Sequence, residues 1–186
     1  RMGAMLAYEA LRELIDTGVD PEEVAKIRDT VTGTCGVIDV HDLRTRRMAH
    51  RVLVDAHVRV DARISVSEGH RIAELARSRV RASHPDVLDV LVHVDTEEDH
   101  AGSTGRSLPG RAALMKELAE ILGDDVPQAA PAVFHYVGGQ VEAEVYLPFD
   151  WCVDSARLEG LRARLRRRVE GSPYWGRIAL LCQIAP

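Results

Sequence analysis

Between Arg51 and Asp61 every second residue is apolar and small enough to line a sheet: Val52, Val54, Ala56, Val58 and Val60. Leu53, Asp55, His57, Arg59 and Asp61 fill the places between them. A period of two marks a strand, because successive side chains leave opposite sides of a sheet. A strand apolar on one side and polar on the other belongs to a sheet covered on one face only. Two further segments read the same way. In Val87 to Asp95, Leu88, Val90, Val92 and Val94 are expected to oppose Asp89, Leu91, His93 and Asp95; in Gly36 to Leu43, Ile38 and Val40 are expected to oppose Val37, Asp39, His41 and Leu43. If the three stripes share a core, then His41, His57, His93 and Asp95 share the uncovered face.

That set suits a first-row divalent metal, since imidazole nitrogen and carboxylate oxygen ligate zinc and, with other geometries, iron, cobalt, nickel or manganese. Nitrogen-rich ligation disfavours magnesium and calcium. The competing interpretation is a solvated outer face on which no histidine has a special role. His50 carries no such pattern. His84, before Pro85, reads as a helix end, because the residue preceding proline avoids the α region. His100, beside Glu97, Glu98 and Asp99, reads as part of a solvated acidic loop.

Around these strands the chain alternates helix and strand. Residues 2–16 read as a helix of good formers, and Asp20-Pro21 opens a second that runs to Gly33. Ser65 to Glu68 has capping-box spacing and starts a helix through Ile72, Leu75, Ala76 and Val80, with His70 in its first turn and off the apolar stripe. Residues 97–110 form an acidic, then Gly/Ser/Pro-rich linker. Beyond it come a helix (111–122), a strand (132–137), a Gly138-Gly139 hairpin turn, a strand (140–148), a helix (153–169) and a strand (177–184). Helix–strand–strand–helix–strand thus occurs twice. The second copy holds only His135 and no carboxylate two residues after a histidine. The expected division is residues 1–32, 33–96, 97–110 and 111–186.

Composition narrows the function. The chain is 46% hydrophobic and 28% charged, ordinary for a core-forming protein, but only 4% aromatic, so Val, Leu, Ile and Ala must build the core. A net charge of −5 argues against general nucleic-acid binding. Cys35, Cys152 and Cys182 are widely spaced and odd in number, which suggests free structural thiols in a reducing compartment. No apolar run is long enough to span a bilayer, and no segment reads as a signal peptide. The opening at Arg1 suggests an excised fragment. Arg157 to Arg168 holds six arginines, a solvated basic face or a contact for anionic lipid headgroups.

From about Leu11 to Asp95 the chain resembles the cytoplasmic C-terminal domain of the cation diffusion facilitator family, the proton-coupled divalent-metal exporters. The resemblance rests on Gly36-Val37 leading into His41-Asp42-Leu43-Arg44-Thr45-Arg46, on His57, on Ser67-Glu68-Gly69-His70 with Ile72-Ala73, and on His93-Val94-Asp95. It implies an α+β fold of tandem ferredoxin-like (αββαβ) units with helices on one sheet face, following the last transmembrane helix and forming a homodimer. It implies Zn2+, or Fe2+, Co2+, Ni2+ or Mn2+, held by His41, His57, His93 and Asp95 of one chain and His70 of the partner, with the carboxylate bridging two ions. Thr96 departs from the proline that many members place after the carboxylate. The second unit is absent from the common short members.

The function so implied is a regulatory domain at the cytoplasmic face of the inner membrane, not an enzyme, whose metal closes a dimer. Two alternatives stand beside it. A metal-free dimerisation module would use the same scaffold. A metal-dependent hydrolase would need an open coordination position and a base, yet the sequence offers no His-Glu-x-x-His motif and no nucleophile elbow.

Overall fold

The computed structural model describes residues 1–3, 5, 19–48, 50–97, 108–123 and 131–183. The chain divides into two compact units, Arg1–Glu98 and Asp99–Pro186, and both are α+β and ferredoxin-like. Residues 2, 3 and 5 are helical, but the rest of the helix expected over residues 2–16 and most of the 97–110 linker lie outside the described residues.

The first unit runs α1 (Pro21–Thr32), β1 (Asp39–Met48), β2 (Arg51–Arg59), α2 (Val66–Ser83) and β3 (Val87–Asp95). Asp20 caps α1 by accepting a hydrogen bond from the Glu22 amide at 2.8 Å, and Pro21 occupies the first turn, where its missing N–H costs nothing. Ser65 caps α2 through the Glu68 amide at 3.1 Å. Between α1 and β1 the chain passes Gly36 at φ +90°, a backbone conformation side chains rarely adopt. A Cβ there would lie 2.6 Å from Ile72 Cδ1, so the close approach of this turn to α2 requires glycine.

The strands form a sheet of order β1-β2-β3, antiparallel between β1 and β2 and parallel between β2 and β3. Strand β2 is central, and its Val52, Val54, Ala56 and Val58 are all buried. Ile27 and Val31 of α1 and Ile72, Ala76 and Val80 of α2 pack with them, which places both helices over one face of the sheet. The alternation in Arg51–Asp61 therefore has the predicted outcome.

In the flanking strands the expected alternation fails at two irregularities. Register shifts between Val40 and Asp42, so His41 is an extra residue, and beyond it the parity reverses. Leu43 then lies opposite Ala56 and packs on the core, while Asp42 lies opposite His57; the expected grouping of Leu43 with His41 is wrong for this reason. Ile38, expected inward, is 56% exposed. In β3, Val87 pairs with Val52 and the register then skips Leu88, leaving Val87 buried and Leu88 exposed, the reverse of the expected start of that stripe.

The second unit runs α3 (Arg111–Leu122), β4 (Ala132–Val137), β5 (Gln140–Pro148), α4 (Phe149–Val153), α5 (Ser155–Glu170) and β6 (Trp175–Gln183). Its sheet order is β4-β5-β6 with the same sense of pairing. Gly138 and Gly139 have φ values of +60° and +71°, as a tight two-residue hairpin requires. The helix expected over 153–169 is α5, which starts at Ser155 because Asp154 leaves the helical region and caps it through the Arg157 amide at 3.0 Å, and the short α4 before it was not expected. Leu114, Leu118, Leu147, Leu161, Leu165 and Trp175 build the core.

Cys152 and Cys182 are joined by a disulfide, while Cys35 is free and exposed. The expectation of free thiols at residues 152 and 182 is thereby corrected. Thirty residues separate them, and only the return of β6 alongside β5, into which α4 directly follows, brings them together.

Candidate metal centre

Asp95, the last residue of β3, is the centre of a histidine cluster. Parallel pairing sets His57 of β2 beside His93 of β3, and Arg59 beside Asp95. The period of two then puts His57, His93 and Asp95 on the sheet face that the helices leave uncovered. The irregularity in β1 supplies His41. His57 Nδ1 lies 3.0 Å and His41 Nε2 3.2 Å from Asp95 Oδ2, whereas His93 Nδ1 lies 2.7 Å from Asp95 Oδ1. The imidazole centroids of His41 and His57 are 5.7 Å apart, and those of His57 and His93 4.7 Å apart.

Burial is graded across the cluster. The Asp95 side chain is 10% exposed and that of His41 16%, while His93 is 59% exposed. A carboxylate so enclosed needs partners to offset lost hydration, and the three imidazoles surround it. His57 shares a hydrogen bond with Asp95. Both ring nitrogens of His41, by contrast, are buried without a hydrogen bond.

These observations test whether the residues fit a metal. One ligand atom each from His41, His57 and Asp95 lies within 4.8 Å of the others, a spacing a single ion could span. Bonds of about 2.0–2.1 Å in a tetrahedral arrangement set neighbouring donors roughly 3.4 Å apart, close to the separations from Asp95 Oδ2 to the two imidazoles. The hydrogen-bond-free, buried nitrogens of His41 are what a ligand would satisfy. The donor set fits.

His70 stands elsewhere. It is exposed in the first turn of α2 and is not part of the cluster. Two neighbours of the site escaped the sequence reading. Asp42, opposite His57, is ion-paired to Arg44 at 2.9 Å. Arg59, in register with Asp95, has a buried Nε without a hydrogen bond. Its place two residues after His57 on a strand was the available signal. His84 is more than a helix end: its Nε2 lies 3.0 Å from Thr30 Oγ1, tying the end of α2 to α1.

Residues 19–97 match the family model for the cytoplasmic domain of cation efflux proteins. The matched residues hold all three strands and both helices of the first unit, which is thus similar to the cytoplasmic domain of cation efflux proteins. Similar proteins include metal tolerance protein C1 of Arabidopsis thaliana, 32% identical over 50% of this chain and 20% of that protein. Metal tolerance protein 2 of Oryza sativa is 34% identical over 50% and 24%, and the cation-efflux pump FieF of Yersinia pestis 34% identical over 48% and 30%. The chain thus matches less than a third of the length of each relative. Among solved structures, the manganese form of a MamM CTD variant is 22% identical, with a TM-score of 0.40 over 41% of this chain and 96% of that one. Cation-efflux similarity covers the first unit, and all four clustered residues lie within it. Among the described residues no helix is long and apolar enough to cross a membrane.

Proposed function

We propose that the first unit is the regulatory, dimerising part of a proton-coupled divalent-cation exporter, not an enzyme, and that it binds a divalent metal between two chains. The observation that carries this reading is the convergence of His41, His57 and His93 on the enclosed Asp95 carboxylate. Zinc fits the nitrogen-rich donor set, with Fe2+, Co2+, Ni2+ and Mn2+ as alternatives. Asp95 presents Oδ2 to His41 and His57 and Oδ1 to His93, which supports a carboxylate able to bridge two ions. His70, exposed and apart, would complete the set from a second copy.

A metal shared between copies stabilises the closed dimer by its difference in affinity for the closed and open states and by nothing more. Closure would bias the membrane part of the transporter, at the cytoplasmic face of the inner membrane, toward export. The division into helices leading from the membrane (1–32), a metal unit (33–96), a linker (97–110) and a ligand-poor unit (111–186) belongs to this proposal.

The test is metal titration by elemental analysis and calorimetry on the chain and on His57→Ala and Asp95→Ala, with sedimentation velocity on each. Loss of bound zinc in both variants is expected, together with loss of metal-dependent compaction. Unchanged stoichiometry in both removes these residues from the site. A His70→Ala variant that keeps metal-driven compaction would remove the partner's contribution alone. The metal-free module has one observation in its favour, the cation of Arg59 beside the site. It predicts no metal-dependent change in any of these measurements.

A further inference from the structure

The two units differ at one equivalent place outside the metal cluster. In the first unit, Arg77 of α2 reaches across to Asp89 of β3, with Nη2 and Nε at 2.8 and 3.2 Å from Oδ1, closing the gap between helix and edge strand. Asp89 is the first residue paired after the register shift in β3. Arg177 holds that position in β6. Arg166 follows the buried Leu165 on α5 as Arg77 follows the buried Ala76 on α2. Where one unit has an ion pair, the other therefore has two arginines.

An open groove of about 530 Å3 lies there, lined by Leu165, Ile178 and Leu180 and by Arg162, Arg166 and Arg177. Among the described residues Glu170 is the one acid on its walls. Arg177 is held by Glu142 at 3.2 Å and Arg162 by Glu159 at 3.7 Å, while Arg166 has no partner among the described residues. Four arginines on or near this helix are engaged within the unit: besides Arg162, Arg157 pairs with Asp154, Arg168 with Glu117, and Arg164 donates to the Leu122 carbonyl. Arg166 and Arg167 are the helix arginines left without a partner among the described residues, and of the two only Arg166 lines the groove. Among the described residues β6 is also an edge strand, and an edge offers a row of unpaired backbone groups to an incoming chain.

We propose that the groove between α5 and β6 takes an extended acidic peptide segment, which pairs with the β6 edge, turns alternate apolar side chains onto Leu165, Ile178 and Leu180, and sets its carboxylates against Arg162, Arg166 and Arg177. Strand addition of this kind draws affinity from the main chain and specificity from alternate side chains. The open edge distinguishes a peptide from a lipid headgroup, which would use the arginines and leave the backbone alone.

The probe is a short labelled peptide of alternating valine and glutamate, titrated by fluorescence anisotropy into the whole chain. Three competitors accompany it: a valine–lysine peptide, the same valine–glutamate peptide N-methylated at alternate amides, and phosphatidylglycerol vesicles. Binding of the first peptide alone is expected, weakened about tenfold by Arg166→Glu, a loss of about 1.4 kcal/mol. Arg162→Gln should weaken it less, and Arg46→Glu in the first unit should leave it unchanged. Equal binding of the N-methylated or lysine peptide overturns the proposal, as does indifference to Arg166→Glu in a variant whose melting curve is intact. Binding to vesicles that depends on Arg166, without binding to the peptide, assigns the groove to lipid and overturns it equally.

Discussion

Strands β2 and β5 are the same strand carrying two chemistries. Each spans nine residues with one exposed end and strict alternation of buried and half-buried positions. Their parallel partners show the same register shift after the second residue. Counted from that shift, Tyr146 stands where His57 stands, Leu181 where His93 stands and Gln183 where Asp95 stands. The buried parity is apolar in both, because the helices demand it; the outward parity is free. A scaffold of this kind fixes where side chains meet and leaves open what they do.

The cores differ as well. Among the described residues the first unit has no Phe, Tyr or Trp, and Val, Ile, Leu and Ala fill its core. The second has Trp151 and Trp175 in its core, with Phe134 and Tyr174 packed on it, and a cross-link besides. Glu117 of α3 accepts hydrogen bonds from Trp175 Nε1 at 2.7 Å, Arg168 Nε at 2.6 Å and the Tyr174 hydroxyl, binding α3, α5 and the start of β6 together. The second unit is held by its own residues. The first surrounds a carboxylate with imidazoles.

The largest effect that would break this comparison is in the aromatic core. Trp175→Ala should cost about 3–5 kcal/mol and remove one of the donors to Glu117. Hydrogen exchange should show the loss in residues 108–183 and none in residues 19–97, since the core clusters share no residue. Loss of protection in β2 as well would mean that the units do not unfold separately. Next in size is reduction of the disulfide. A loop of this length constrains the unfolded chain by roughly 3.6 kcal/mol on the chain-entropy model. Dithiothreitol, or Cys152→Ser with Cys182→Ser, should therefore lower the melting point of the second unit alone.

That bond also shows where reading the sequence stops. Strand alternation over Val52 to Val60 was legible, because burial of one parity leaves a period in the chain itself. The His93–Asp95 pair was legible for the same reason. The pairing of Cys152 with Cys182 was not, since it depends on where β6 returns. Nor were the irregularities at His41 and Leu88, because an inserted residue changes parity without changing composition. The position of His41 near Asp95 follows from that insertion as much as from alternation. The Arg77–Asp89 bridge, and its replacement by Arg166 and Arg177, required helix and strand to be laid side by side.

A third test separates the units by their response to ligand and acid. Zinc at a hundredfold excess over its dissociation constant should stabilise the first unit by about 2.7 kcal/mol and leave the second unchanged, with His57→Ala cancelling the gain. Ligands must be deprotonated to bind, so the gain should fade as the solution is made acid. The acid response of the second unit has another origin. Burial pushes the Glu117 carboxyl up, but hydrogen bonds from Arg168, Tyr174 and Trp175 outweigh burial and hold it below its ordinary value of 4.5. A depressed carboxylate stabilises the fold above its unfolded pKa and loses that contribution as pH falls through the folded one. The second unit should therefore hold its melting point in mild acid and lose stability only once pH falls below the ordinary carboxyl value of 4.5. Glu117→Gln should flatten that acid limb.

The smallest expected effect lies at the helix starts. Ser65 caps α2 and Asp154 caps α5, each through one amide three residues on, at 3.1 and 3.0 Å. Replacing either by alanine leaves one amide of the first turn without its acceptor and should cost about 1 kcal/mol. The two caps do not sit in equal surroundings. Asp154 also pairs with Arg157, whose guanidinium lies 5.6 Å from the centroid of the Trp151 ring, so its loss frees a side chain that covers the joint between α4 and α5. Beyond its cap the Ser65 hydroxyl bonds that of Ser67, and Val66 beside it is 93% exposed. Asp154→Ala should accordingly cost more than Ser65→Ala by urea denaturation with probes in each unit, although exposed ion pairs contribute only a few tenths of a kcal/mol. The reverse order would mean that the entry to α2, four residues before His70, is under tighter control than the joint beside the disulfide.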